Sequence, residues 1–233
     1  MSEKIIAYKA MNPDMTCRGK KYEVGKTYFE DKADCCNAGM HACENPFEVL
    51  RYYPMKDNPR FFEVECGGEI SKSDKGSKLA CTELTVKGEL NFAGMLKATL
   101  DAVFRRVKDK EPFSSGDSST AGTSGNYSTA GTSGYFSTAG TSGYYSTAGT
   151  SGYYSTAAAT GPYCRAKAEG NNSIAVANGY KSKVKGSVGC YLVLTEYDDD
   201  GNFLCADLKF VDGISIKADT WYMLKDGLAV ESE

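Results

Sequence analysis

From Ser119 onward the chain repeats itself every nine residues, and that period constrains the fold more than anything else in it. The unit Ser-Thr-Ala-Gly-Thr-Ser-Gly-aromatic-aromatic begins at Ser119, Ser128, Ser137, Ser146 and Ser155. The register continues, with altered composition, from Cys164, Ser173 and Ser182. The third position reads Ala121, Ala130, Ala139, Ala148, Ala157, Ala166, Ala175 and then Val184, and the seventh is glycine from Gly125 to Gly179. A run rich in Gly, Ser and Thr is ordinarily a flexible linker. The strict period, the recurrent aromatics and a register that outlives the change of composition point instead to a repeat fold.

The altered units make the inside and outside legible. Cys164, Ala166 and Ala168 alternate with Arg165, Lys167 and Glu169, while Ser173, Ala175 and Ala177 alternate with Ile174 and Val176. Small odd positions should point inward and even positions outward, as on a strand. Nine residues cannot circle a core, so two units per coil are expected, giving a flattened parallel β-solenoid (β-roll). Units two apart then stack. Tyr127 should lie beneath Tyr145 and Tyr163, Phe136 beneath Tyr154, and Tyr135 beneath Tyr153, with the ladders supplying burial that a thin Ala/Ser/Thr core cannot. Parity does not decide which aromatic position faces out, because the turn resets the alternation.

No charged side chain occurs from Ser118 to Tyr163. A wall without charge is unusual for a monomer. Tyr127, Tyr135, Phe136, Tyr144, Tyr145, Tyr153 and Tyr154 are therefore the expected partner or self-association residues, in a homodimer or homotrimer, and Ile174 and Val176 join them as outward apolar side chains of an altered unit.

The repeats (residues 113–190) separate two non-repetitive zones. Residues 1–112 read as an α+β domain, with strands expected at 5–11, 22–29, 60–70 and 82–90. A short helix is expected after Asn45, with Asn45 as cap and Pro46 in the first turn. A longer one is expected over 91–108, ending in the basic cluster Arg105, Arg106, Lys108 and Lys110, a solvated helix end. Residues 191–233 read as a C-terminal antiparallel β meander, with strands at 190–196 and 203–211 joined by the turn residues 198–202.

The charge balance, 27 basic against 30 acidic residues, gives no nucleic-acid footprint. No stretch approaches the roughly 20 apolar residues of a membrane helix, and the first residues lack a signal-peptide core. A cytoplasmic protein is expected. Nine irregularly spaced cysteines do not suggest a disulfide framework.

Cys35, Cys36, His41 and Cys43 could offer zinc a thiolate and imidazole set, but no Cys-x-x-Cys pair exists, and no metal or other cofactor is expected. His41, the only histidine, could pair with a cysteine nucleophile, or serve a transferase site with Arg18 and Glu44; Arg-Gly, Gly-Met-His and Glu elements are faintly similar to ADP-ribosyltransferase motifs. A structural His41 is the plainer reading. Calcium in the repeats is disfavoured because the units lack aspartate. Outward Thr129, Thr138 and Thr147 could form an ice-binding row.

The stretch from Gly170 to Gly179 is similar to the repeat of bacterial trimeric adhesin heads, β-rolls in which Ser and Ala point inward and branched residues meet other subunits. The Gly-Tyr-Tyr-Ser-Thr-Ala-Gly pattern resembles the repeats of ice-nucleation proteins, with their tyrosine ladders. The period differs in both, so only the packing principle carries over. Cys17-Arg18-Gly19, the segments 22–28 and 41–44, and the tail 220–227 resemble a group of phage and prophage proteins with an N-terminal domain, Gly-Tyr-x-Ser repeats and a Trp-Tyr tail. That resemblance implies a bacterial host-cell setting and brings no activity. The sequence reading is a non-enzymatic oligomeric scaffold or binding protein, acting on a host protein or defence complex. Its alternatives are an enzyme multimerised by the solenoid, and an ice-binding surface.

Overall fold

A computed structural model describes residues 4–73, 76–107 and 111–233. The chain divides into two compact units, Met1–Ala102 and Val103–Glu233.

The first unit is mostly β. Its strands are β1 (Ile5–Met11), β2 (Thr16–Cys17), β3 (Lys20–Lys21), β4 (Thr27–Phe29), β5 (Met40–Cys43), β6 (Arg60–Lys72) and β7 (Lys78–Leu90). Strand β1 pairs with β6, β6 with β7, β7 with β5, and β5 with β1, so the antiparallel sheet closes on itself and β4 adds to β7. Closure leaves these four strands few free edges. Inside sit Ala7, Met11, Met40, Phe62, Val64, Cys66, Leu79, Leu84 and Val86.

The α+β expectation is met in part. One α-helix forms, α1 (Phe92–Val107), and Arg105 and Arg106 occupy its last turn; Lys108 and Lys110 lie outside the described residues. The helix expected after Asn45 is a 3-10 segment, Pro46–Arg51, and the Asn45 side chain does not cap it. Instead Ser77 Oγ accepts the Asn45 N–H at 2.9 Å, and Glu48 accepts from the Ser77 backbone and hydroxyl. Only the last three residues of the strand expected over 22–29 are extended, because 23–26 turn at Gly25, where φ is +83°. Strand β5 was not expected; Met-His-Ala-Cys contains no β-branched residue, and its pairing comes from distant partners.

The second unit is a β-solenoid of about four coils. Strands β8 (Phe113–Ser114), β9 (Thr120–Ser124), β10 (Thr129–Thr132), β11 (Thr138–Ser142), β12 (Thr147–Thr150), β13 (Thr156–Thr160), β14 (Arg165–Ala168), β15 (Ile174–Asn178) and β16 (Lys183–Gly186) alternate between two parallel sheets. Thr129 pairs with Thr147 and Thr147 with Arg165, the 18-residue step of two units per coil. Each third-position alanine is fully buried. First-position hydroxyls fasten coil to coil: Ser155 Oγ donates to the Gly134 carbonyl at 3.1 Å and Ser173 Oγ to the Gly152 carbonyl at 2.8 Å, while Ser137 Oγ closes its own turn onto the Gly134 carbonyl at 2.6 Å.

The meander expectation needs correction. Strands β17 (Tyr191–Tyr197) and β18 (Phe203–Phe210) continue one sheet, while β19 (Trp221–Lys225) and β20 (Leu228–Ser232) continue the other. They are two hairpins, each prolonging one wall. Their larger side chains, Leu192, Leu194, Val211, Ile216, Tyr222 and Leu224, widen the core as it closes.

One feature of the core runs against stability. The fifth-position hydroxyls of Thr132, Thr141 and Thr150 are buried without a hydrogen-bond partner, and the later units put Ala159, Ala168 and Ala177 in that row. An orphaned buried hydroxyl costs about 1–3 kcal/mol. Thr150→Val, which keeps the shape and removes the polar atom, should raise stability by about 1 kcal/mol, read as a higher urea midpoint with an unchanged slope.

Candidate functional sites

Each unit presents one candidate site. In the first, the Cys17-Arg18-Gly19 and His41-Ala42-Cys43 motifs meet at a cavity of about 100 Å³, together with Tyr8, Lys9, Val49, Tyr52, Tyr53 and Lys78. The β2–β3 turn holds Arg18 in the left-handed region (φ +51°). Strand β5 supplies His41 and Cys43, and the 3-10 segment brings up the tyrosines that follow it.

The charges here are of one sign. Lys9 is only 5% exposed; its ammonium donates to the His41 carbonyl at 2.8 Å and lies 5.2 Å from the centre of the Tyr22 ring. Lys78 Nζ lies 4.5 Å from the centre of the Tyr52 ring. Arg18 is exposed at the rim. No carboxylate lines the cavity. His41 Nε2 accepts the Cys36 N–H at 3.0 Å, so that nitrogen carries no proton. Burial first, then the charges of Lys78, Arg18 and Lys9, push the imidazole pKa down to about 4.

His41 therefore pins the loop at Cys36, whose φ is +78°. Its acceptor nitrogen is already engaged, which leaves a poor general base. Burial raises the Cys43 thiol well above its ordinary pKa, and raises Cys35 to about 11, so neither is a ready nucleophile. Glu44 is not among the lining residues and pairs with Lys72 at 2.6 Å; the Arg18, His41 and Glu44 set is only two-thirds assembled. The four zinc candidates do not gather either. Cys35 and Cys36 thiols stand 3.9 Å apart, and among the described residues no three His, Cys, Asp or Glu side chains converge as a metal site would require.

A pH dependence follows. The folded chain protonates His41 near 4, against an ordinary 6.5. The stability that the neutral ring contributes is complete above about 6.5 and is lost as pH falls from there towards 4. Ring resonances of the single histidine should titrate with a midpoint near 4; a midpoint above 6 would contradict the buried, cation-flanked environment.

In the second unit the aromatics form the predicted files. Tyr127 stacks on Tyr145 at 5.3 Å and 2°, and Tyr145 on Tyr163 at 4.9 Å and 7°. On the opposite turns Phe136 stacks on Tyr154 at 5.3 Å and Tyr135 on Tyr153 at 5.4 Å. The ninth position is where sequence parity gave no answer. Tyr127, Phe136, Tyr145, Tyr154, Tyr163, Asn172 and Lys181 all take φ between +51° and +59°. That region costs a non-glycine residue about 1–2 kcal/mol, and stacked aromatic pairs return about 0.5–1.5 kcal/mol each.

The two outer walls differ. On β10, β12 and β14 even positions face outward, with Thr129 and Arg165 exposed. On β11, β13 and β15 even positions are buried too: a Cβ added at Gly140 would come within 2.9 Å of Val107 and 3.0 Å of Val103, from the last turn of α1. Ile174 and Val176, expected to meet another subunit, are buried in the single chain, Val176 completely. Thr138 lies on this covered wall while Thr129 and Thr147 lie on the other, so the three threonines form no single row. Tyr127 is 75% exposed, and Tyr135, Tyr144, Tyr145 and Tyr153 are about half exposed.

Residues 5–98 match the family described as a domain of unknown function (DUF7666), a span that includes every residue lining the cavity. No curated protein and no solved structure matches the chain. Among the described residues no helix is long and apolar enough to cross a membrane.

Proposed function

We propose that the protein is a non-enzymatic binding protein whose solenoid associates with a second copy of the chain through the tyrosine edge at Tyr127, Tyr144, Tyr145 and Tyr163. The observation that carries this reading is an exposed aromatic edge inside a segment without charge. The stacked rings are fixed, so little side-chain entropy is lost when a flat partner covers them, and tyrosine is enriched at the centres of interfaces. A second copy presents the same flat, uncharged file and suffers no charge mismatch against it. The setting implied by the resemblance to phage and prophage proteins, a bacterial cytoplasm and a host protein or defence complex as target, belongs to this proposal. The enzyme alternative gains little from a neutral, engaged His41 and an absent Glu44.

Light scattering at tens of micromolar protein tests it. The wild type should have at least twice the chain mass, and Tyr127→Lys with Tyr144→Lys should be monomeric with an unchanged circular dichroism spectrum. A monomeric wild type, or an assembly indifferent to both lysines, would remove the reading.

A further inference from the structure

We infer that the cavity between β1, β5 and residues 46–53 of the first unit is a binding site for the phosphate group of a small ligand. A buried ammonium is costly unless a partner compensates it, and Lys9 has one carbonyl and one aromatic ring but no carboxylate. Lys78 and Arg18 add two more cations to the same lining. Neither makes an ion pair among the described residues. Three positive charges without an acid between them form a field that an anion would relieve, and a dianion more fully than a carboxylate.

Size and shape narrow the class. A cavity of about 100 Å³ is smaller than the ~150 Å³ that holds a benzene ring. It fits a tetrahedral oxyanion, and because it opens to solvent the rest of a ligand would lie outside it. Lys9 lies at the floor as a point charge and Arg18 at the rim as a planar fork, the two modes in which proteins grip phosphate. Burial holds the Tyr52 and Tyr53 phenols protonated, above the ordinary range, and so able to donate. Their rings give the mouth an apolar wall on which an organic substituent of a phosphomonoester could rest. The site is independent of the tyrosine edge, so either proposal can fail alone.

The single histidine is the reporter. Its ring resonances would be followed at pH 7 and constant ionic strength while sodium phosphate, phenyl phosphate or sodium acetate replaces sodium chloride. Phosphate should shift them saturably in the millimolar range and acetate at least tenfold more weakly. Phenyl phosphate binding more tightly than phosphate identifies a phosphomonoester as the occupant; equal affinity identifies free phosphate. Bound phosphate should also raise the His41 midpoint from about 4, because it offsets the cations that depress it. Arg18→Gln and Lys78→Gln, both away from the buried floor, should each weaken phosphate at least fivefold with the fold retained. No saturation with either phosphate, equal response to acetate, or affinity unchanged in both variants would overturn the inference.

Discussion

Gly152→Ala is expected to destabilise the solenoid by more than about 3 kcal/mol, whereas Gly149→Ala, three residues away, is expected to be neutral or slightly stabilising. A Cβ on Gly152 would fall 1.8 Å from the Gly134 carbonyl oxygen and 2.5 Å from its carbon. Those atoms are backbone of the coil beneath, so no side chain can swing aside. The same column repeats at Gly134 over Gly116 (1.9 Å) and Gly170 over Gly152 (2.1 Å). Relief would require prising two coils apart where Ser155 and Ser173 bond them to the carbonyls of Gly134 and Gly152. At Gly149 nothing lies within 4 Å of an added Cβ, and the rung above carries Lys167 in that place. Removing glycine there mainly narrows the unfolded ensemble, worth about 0.4–1 kcal/mol. Equal denaturant midpoints for the two variants would show that the seventh-position glycines are not stacked.

The contrast shows what could be read from residues alone. The period, the 18-residue step and the ring files follow from spacing, because a strand's geometry is local and the repeat copies it. The conformation of the ninth position is hidden by its own residues. Tyrosine does not announce a left-handed φ, and only Asn172, in a divergent unit, is a residue type at home there. The covered wall left a fainter signal. Ala158, Ile174 and Val176 occur on one set of units, and Arg165, Lys167, Lys183 and Lys185 on the other, so the two faces differ in polarity exactly where the consensus decays. Gly122 and Gly140 look identical to Gly131 and Gly149 because what distinguishes them, Val103 and Val107, lies outside the repeats. The cavity was half legible. Arg18, His41 and Cys43 stood out as motifs, but Lys9 lies in the expected strand 5–11 and Lys78 outside the expected strand 82–90, and sheet closure is what places them together.

Leu192→Ala should cost about 2–5 kcal/mol and should make heat unfolding irreversible, while Leu204→Ala, at a side chain 55% exposed, should stay within about 0.5 kcal/mol of wild type. The capping hairpins explain the difference. Ile174 pairs with Tyr191, so the step shortens from 18 residues to 17 and Leu192 follows Ala175 in the inward row. A leucine where every earlier rung has alanine fills the space that opens as the walls turn into β17–β18 and β19–β20, against Leu194, Val211, Tyr222 and Leu224. Truncation leaves a void that the alanine rungs below cannot fill, since their backbones are already hydrogen-bonded coil to coil. The consequence reaches beyond the local loss. The last rungs, β15 and β16, are shielded by β17 and β19 alone, and an uncapped parallel solenoid presents unpaired strand edges to other chains. Loosened caps should therefore convert reversible unfolding into edge-to-edge aggregation, visible as light scattering that rises before the circular dichroism transition. Cooperative and fully reversible melting of Leu192→Ala would show that the hairpins do not guard the solenoid's end.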